Sequence, residues 1–300
     1  MRVRAYYWIL VLLVAAVGCT PASSAGTADS SVLTSTSFLA DITQNIAGDR
    51  VEIASLLPIG ADPHSYQLTP QDVAKLDESR LIILNGAAYE HFLAPVLDAQ
   101  DAGAEKMIIE ASAGLSLKED AEGEHDIDPH LWLDPNNVVV YVENIREGLT
   151  HFDPEGAVEF QTHAELYTEE LIALDAWIRE QVDLIPVEKR LLVSNHGAFG
   201  YFADRYGFTV IGTVLESFSS DASPSAQQMV DLIDQIKSSG ASAIFLDVAD
   251  NPALAQQIAD ETGVLLVTDL QLESLTDGDP ASTYIDMMKY NVTQIVNALK

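Results

Sequence analysis

The chain has 300 residues, enough for one large domain or two lobes with separate cores. Apolar residues make up 48% of it, which excludes a disordered chain. Acidic residues outnumber basic ones 46 to 15, a formal charge of −31, and so negative a surface repels phosphate backbones and argues against nucleic acid as a partner.

The N-terminus reads as an export signal. Arg2 and Arg4 supply its positive region, and Trp8 to Val17 is uncharged and apolar but short for a membrane span. Ala16-Val17-Gly18 leads into Cys19, the only cysteine of the chain, in a pattern that resembles a bacterial lipobox. Residues 1–18 are thus expected to be a lipoprotein signal peptide, with Cys19 the site of lipidation after cleavage. Residues 19–31, rich in Ser, Ala, Thr and Gly, read as a flexible tether. The protein is expected outside the cytoplasm, held to the membrane by its lipid.

Val51 to Leu57 reads as a strand that Pro58 and Gly60 end. Thr69, Pro70 and Asp72 supply the N-cap, first position and N3 acid of a helix, and Leu81 to Leu84 is a second strand. Strand, helix and strand in this order predict a parallel sheet. Met107 to Ile109 adds a weaker strand. In the middle of the chain Asp153 and Pro154 read as a helix start. Tyr167, Leu171, Leu174, Ile178, Val182 and Ile185 follow at helical spacing until Pro186. Thirty-odd residues at ~1.5 Å each give roughly 45 Å, enough to run along two lobes.

The second half repeats the order of the first. Leu191 to Val193, Thr209 to Leu215, Ala243 to Leu246 and Val264 to Val267 read as strands, with helices over Ala226 to Lys237 and Pro252 to Thr262. Val51–Leu84 and Thr209–Leu246 look like faint copies of each other. The fold class expected is α/β, with two similar lobes built on parallel sheets and joined by a long rigid helix. The divisions are an N-terminal lobe over 32–150, a linking helix over 151–186 and a C-terminal lobe over 187–300.

Three histidines stand at strand ends or in loops. His64 lies in Asp62-Pro63-His64, where Pro63 stiffens the backbone. His130 lies in Asp128-Pro129-His130-Leu131-Trp132-Leu133-Asp134-Pro135. There Asp134 is placed to cap a helix, and Asp128 or Asp134 to orient the imidazole through its second nitrogen. His196 ends a strand in Ser194-Asn195-His196-Gly197, the place where open α/β sheets bind ligands.

In this order, together with Asn85-Gly86-Ala87-Ala88-Tyr89-Glu90 and the closing stretch from Thr283 to Val292, these motifs resemble the metal-specific solute-binding proteins of bacterial ABC importers, the family of the ZnuA and TroA types. The resemblance implies one metal ion between the lobes. Its ligands would be His64 and His130 from the first lobe and His196 from the second. A late carboxylate would complete the set: Asp269, in a Thr-Asp pair after a strand, with Glu273 as the competitor. It implies zinc as cargo, since imidazole suits zinc better, with manganese as the alternative. It further implies permease and ATPase partners in an importer, and we expect a monomer. A metal-dependent surface adhesin is a second reading. A zinc hydrolase is a third, against which stands the lack of an HExxH helix or a nucleophile elbow.

The remaining histidines read blandly: His91 as packed nearby, His151 and His163 as exposed, and His125 as part of a short acidic loop over 118–126. Trp132 and Phe199 read as cleft walls, and Phe218, Ser219 and Ser220 as cleft-lining residues at another strand end.

Overall fold

The computed structural model describes residues 32–97, 106–119 and 127–300. The signal peptide, Cys19, the tether and His125 lie outside the described residues. No helix among those described is long and apolar enough to cross a membrane.

Each half of the chain follows the same path of alternating strands and helices. The first runs β1 (Val32–Thr34), α1 (Ser37–Ala47), β2 (Ile53–Ser55), α2 (Pro70–Glu78), β3 (Leu81–Leu84), α3 (Ala94–Leu97), β4 (Met107–Glu110) and α4 (Pro135–Phe152). α5 (Ala157–Val182) follows as the bridge. The second half runs β5 (Leu191–Ser194), α6 (Gly200–Tyr206), β6 (Thr209–Thr213), α7 (Ala226–Ser239), β7 (Ala243–Asp247), α8 (Ala253–Thr262), β8 (Leu265–Leu270) and α9 (Tyr284–Leu299). The sheets are parallel and ordered β2-β1-β3-β4 and β6-β5-β7-β8. Strand by strand they correspond, and the faint copies expected at Val51–Leu84 and Thr209–Leu246 occupy matching places, β2-α2-β3 and β6-α7-β7.

Local chemistry sets these elements. Thr69 Oγ1 accepts from Asp72 N while Asp72 caps back onto Thr69 N, with Pro70 at the first helical position. Asp134 accepts from Asn136 N and starts α4. Asp153, expected to open the bridging helix, instead ends α4 through its backbone, and its carboxylate pairs with Arg50. A short 3₁₀ turn at Pro154–Gly156 separates it from α5, because α4 runs on through Phe152. α5 spans 26 residues.

Side chains alternate across each strand, as the pleat requires. Leu81 and Ile83 face a core that contains α1, α4, α5 and α9, while Ile82 and Leu84 face a smaller one under α2. In the second sheet Phe245 faces the shared core and Ile244 and Leu246 an outer one. The shared core is continuous from Val32 to Leu299 through both halves and the bridging helix. An interior packed this tightly transmits displacement rather than absorbing it, so the two lobes are held nearly as one body.

Candidate metal centre

The carboxyl ends of four strands carry the site. His64 lies in the loop after β2, His130 in the loop after β4, His196 just after β5, and Glu273 in the loop after β8. By the matching sheet order, His130 and Glu273 hold equivalent places in the two lobes. The atoms that His64, His130, His196 and Glu273 could offer a metal ion all lie within 4.8 Å of one another.

Glu273 Oε1 is 3.1 Å from His64 Nε2, 3.4 Å from His130 Nε2 and 3.0 Å from His196 Nε2. His130 Nε2 and His196 Nε2 are 3.3 Å apart. Three ring nitrogens converging on one carboxylate oxygen are more donors than that oxygen's lone pairs satisfy well. A cation among them removes that crowding, because each nitrogen then turns a lone pair rather than a proton toward the centre. Four donors around a small divalent ion at ~2.0–2.1 Å are about 3.3 Å apart, close to the four separations given above.

Burial and charge set the protonation of the cluster. Burial pushes Glu273 upward, but the His64 charge and the bonds from all three imidazoles outweigh it and hold the carboxyl well below the usual range. Burial disfavours the charged form of His130, yet the bonds to Asp128 and Glu273 raise it to about 9.

Each ligating loop is held by a second layer of contacts. His130 Nδ1 lies 2.9 Å from Asp128 Oδ1, so Asp128 orients the ring while Asp134 is the helix cap. Asn85 Nδ2 donates to the Pro129 carbonyl at 3.0 Å, and Tyr141 Oη donates to Asn85 Oδ1 at 2.5 Å. Glu90 accepts from Ser35 Oγ and from the backbone of Asn85 and Gly86, and burial pushes it up to about 7 despite these bonds. The Asn85–Glu90 motif thus braces the His130 loop. Tyr89 stands edge-on to His64, with ring centroids 5.6 Å apart.

The Glu273 loop is braced from both lobes. Asp247 Oδ2 accepts from Leu272 N at 2.5 Å, and burial together with the Glu273 charge pushes this carboxyl up to about 7. From the other lobe Trp132 Nε1 donates to the Leu272 carbonyl at 2.8 Å and Gly60 N to Ser274 Oγ at 2.8 Å. Asp247 was not singled out by sequence; a buried strand ending in Asp, at Ala243–Asp247, was the available signal.

The structure does not bring Asp269 to the cluster. β8 continues to Leu270 rather than stopping at Val267, so Asp269 lies within the strand. Its side chain turns toward α9, where Tyr290 Oη donates to it at 2.7 Å. Glu273, on the loop beyond the strand's end, takes the place expected for Asp269. Trp132 is not an open cleft wall but is fully buried and stacked on Phe38. His163 is half-buried and bonds the Ile46 carbonyl, whereas His151 is exposed. His91 is exposed and borders a cavity that reaches His64.

Residues 32–298 match the family described as ZnuA, zinc-uptake complex component A, periplasmic. The manganese-binding lipoprotein MntA of Halalkalibacterium halodurans is 32% identical over 298 residues, covering 97% of this chain and 96% of that protein. The manganese ABC transporter substrate-binding lipoprotein PsaA of Streptococcus pneumoniae is 28% identical, covering 97% of each chain. Among solved structures, the periplasmic zinc binding protein TroA from Treponema pallidum superposes with a TM-score of 0.82 at 30% identity, covering 90% of this chain and 99% of that one. With a matching fold over nearly its whole described length and a cluster of imidazole and carboxylate donors between its lobes, the chain belongs to the ZnuA family of metal-binding, substrate-binding components of ABC transporters, which are solute-binding proteins and not enzymes.

Proposed function

We propose that this protein captures zinc outside the cytoplasm through His64, His130, His196 and Glu273 and delivers it to the permease of an ABC importer. The observation that carries the reading is the donor set: three imidazole nitrogens and one carboxylate oxygen within 4.8 Å. Such a nitrogen-rich set favours zinc, which also stands above manganese in intrinsic affinity. We further propose that Cys19 is lipidated and anchors a monomer, with lobes over 32–150 and 187–300 joined by the bridging helix.

Manganese is the second reading. It is favoured by the carboxylate in the set and by relatives named for manganese. The adhesin reading rests on no separate feature of this chain.

Elemental analysis of protein purified without chelator, beside a His196→Ala variant, tests the proposal. One zinc per chain is expected, and less than a tenth of that in the variant. Manganese in its place supports the second reading. Equal metal content in the two proteins, or none in either after exposure to both ions, overturns the assignment.

A further inference from the structure

The ion cluster is approached through a cavity of about 170 Å³, lined by His64, Tyr89 and His91 from one lobe and by Phe218 and Ser219 from the other. The second wall is the loop that follows β6, residues 214–221. This loop touches the two ligand-bearing loops that flank the cavity. The Ser217 carbonyl accepts from Gly197 N at 2.8 Å, one residue after His196. Phe218 lies so close over Gly197 that a Cβ there would come within 2.7 Å of its ring. Ser220 Oγ donates to Asp62 Oδ2 at 2.6 Å, across the lobes.

Asp62 has a second duty. Its Oδ1 accepts from the backbone N–H of His64 at 2.9 Å, and its Oδ2 also accepts from Ser65 Oγ at 2.9 Å. One carboxylate therefore both shapes the loop that presents His64 and reaches the opposite lobe. The contacts between lobes around Glu273 are of a different kind. The bonds from Trp132 Nε1 to the Leu272 carbonyl and from Leu275 N to Ser37 Oγ are buried within the shared core, and opening them would expose that core. Of the four cluster residues, His64 is the one that lines the cavity, although its side chain is as deeply buried as that of Glu273.

We propose that the Asp62–Ser220 bond is a latch that gates the passage of the ion on the His64 side. With the bond made, the 214–221 loop closes the cavity over His64. With it broken, the loop moves away while the buried seam at Glu273 stays intact, so ions enter and leave without the lobes separating. A hydrogen bond to a charged group is worth about a tenfold change in an opening equilibrium, or somewhat more. The latch rests on the reading that the cluster binds a divalent ion.

The test uses the full-length protein loaded with zinc. Release into excess chelator and capture in stopped flow are followed by tryptophan fluorescence, for which Trp132, with its ring 5.2 Å from that of His130, is the expected reporter. Ser220→Ala is expected to accelerate capture and release together by about tenfold, leaving the equilibrium affinity within about threefold of wild type. Ser220→Thr, which keeps the hydroxyl, is expected to return both rates toward wild type. Unchanged rates in Ser220→Ala overturn the latch. Faster release alone, with affinity weakened in proportion, also overturns it, because that is the signature of a clamp on the bound state rather than a gate. If wild type takes up neither zinc nor manganese, the binding assignment fails along with the latch; if it binds and the variant's rates match, the latch alone fails.

Discussion

Glu273 and Asp269 are four residues apart, and both are carboxylates able to ligate a transition metal, yet the fold gives them opposite surroundings. Glu273 is buried against three imidazoles, while Asp269 bonds Tyr290 of α9 at an exposed position away from the cluster. Glu273→Gln is therefore expected to weaken zinc binding by at least about a hundredfold, since it removes the anionic ligand. Asp269→Asn should leave affinity within about twofold; competition against a calibrated chelator reads both. Asp128→Asn should cost about 10–100-fold in affinity through loss of the orienting bond to His130. The raised value of His130, about 9, adds a pH dependence. Near neutrality this ring holds a proton that the ion must displace. Affinity should then rise about tenfold per pH unit between 7 and 9 for this one proton, and weakly buffered protein should acidify on loading. A flat profile across that range would contradict the protonated His130.

At the scale of elements, α1 meets the start of α9 through one carboxylate. Asp41 accepts from Tyr284 N at 2.9 Å, and burial raises it to about 6, with Asp286 and Glu170 adding repulsion against the bond's opposing effect. The folded state binds this proton more tightly than the unfolded one, so ionisation costs stability. That cost grows as pH rises from about 4 to about 6 and is complete above it. Asp41→Asn keeps an acceptor for Tyr284 and removes the charge. It is expected to raise stability at pH 7 by on the order of 1 kcal/mol and to make no difference near pH 4. Urea melts at the two pH values would check it, and a destabilised variant at pH 7 would show that the charge at the start of α9 matters more than its desolvation.

Over the whole molecule, the shared core and the bridging helix leave little freedom for a hinge. The radius of gyration from X-ray scattering is expected to change by less than ~0.5 Å on loading, far below what closure of two separately hinged domains produces. The ion still ties distant parts of the chain, because only the folded state assembles its ligands. Zinc at about a thousandfold above its dissociation constant should add about 4 kcal/mol to stability. An upward shift of the melting temperature in differential scanning fluorimetry reads this. An unchanged melting temperature at that zinc concentration would show that the folded cluster does not bind the ion.

Patterns of local origin were legible in the sequence. The capping box at Thr69–Asp72, the apolar strand runs, the helical spacing from Tyr167 to Val182 and the three loop histidines each depend on residues a few places apart, so the linear order contains their cause. Even the pairing of the lobes left a trace, since two matching paths need matching strand and helix signals. β1 and α1 left weaker ones: Val32–Thr34 is only three residues long, and its role comes from pairing with β2 and β3 on either side. The choice of fourth cluster residue, the brace from Trp132 to Leu272 and the meeting of Asp62 with Ser220 were settled by tertiary structure alone. Each depends on where one chain segment ends in space relative to another more than a hundred residues away, or on how far β8 extends before it turns. Local propensity carries no information on either, because packing of the shared core fixes both.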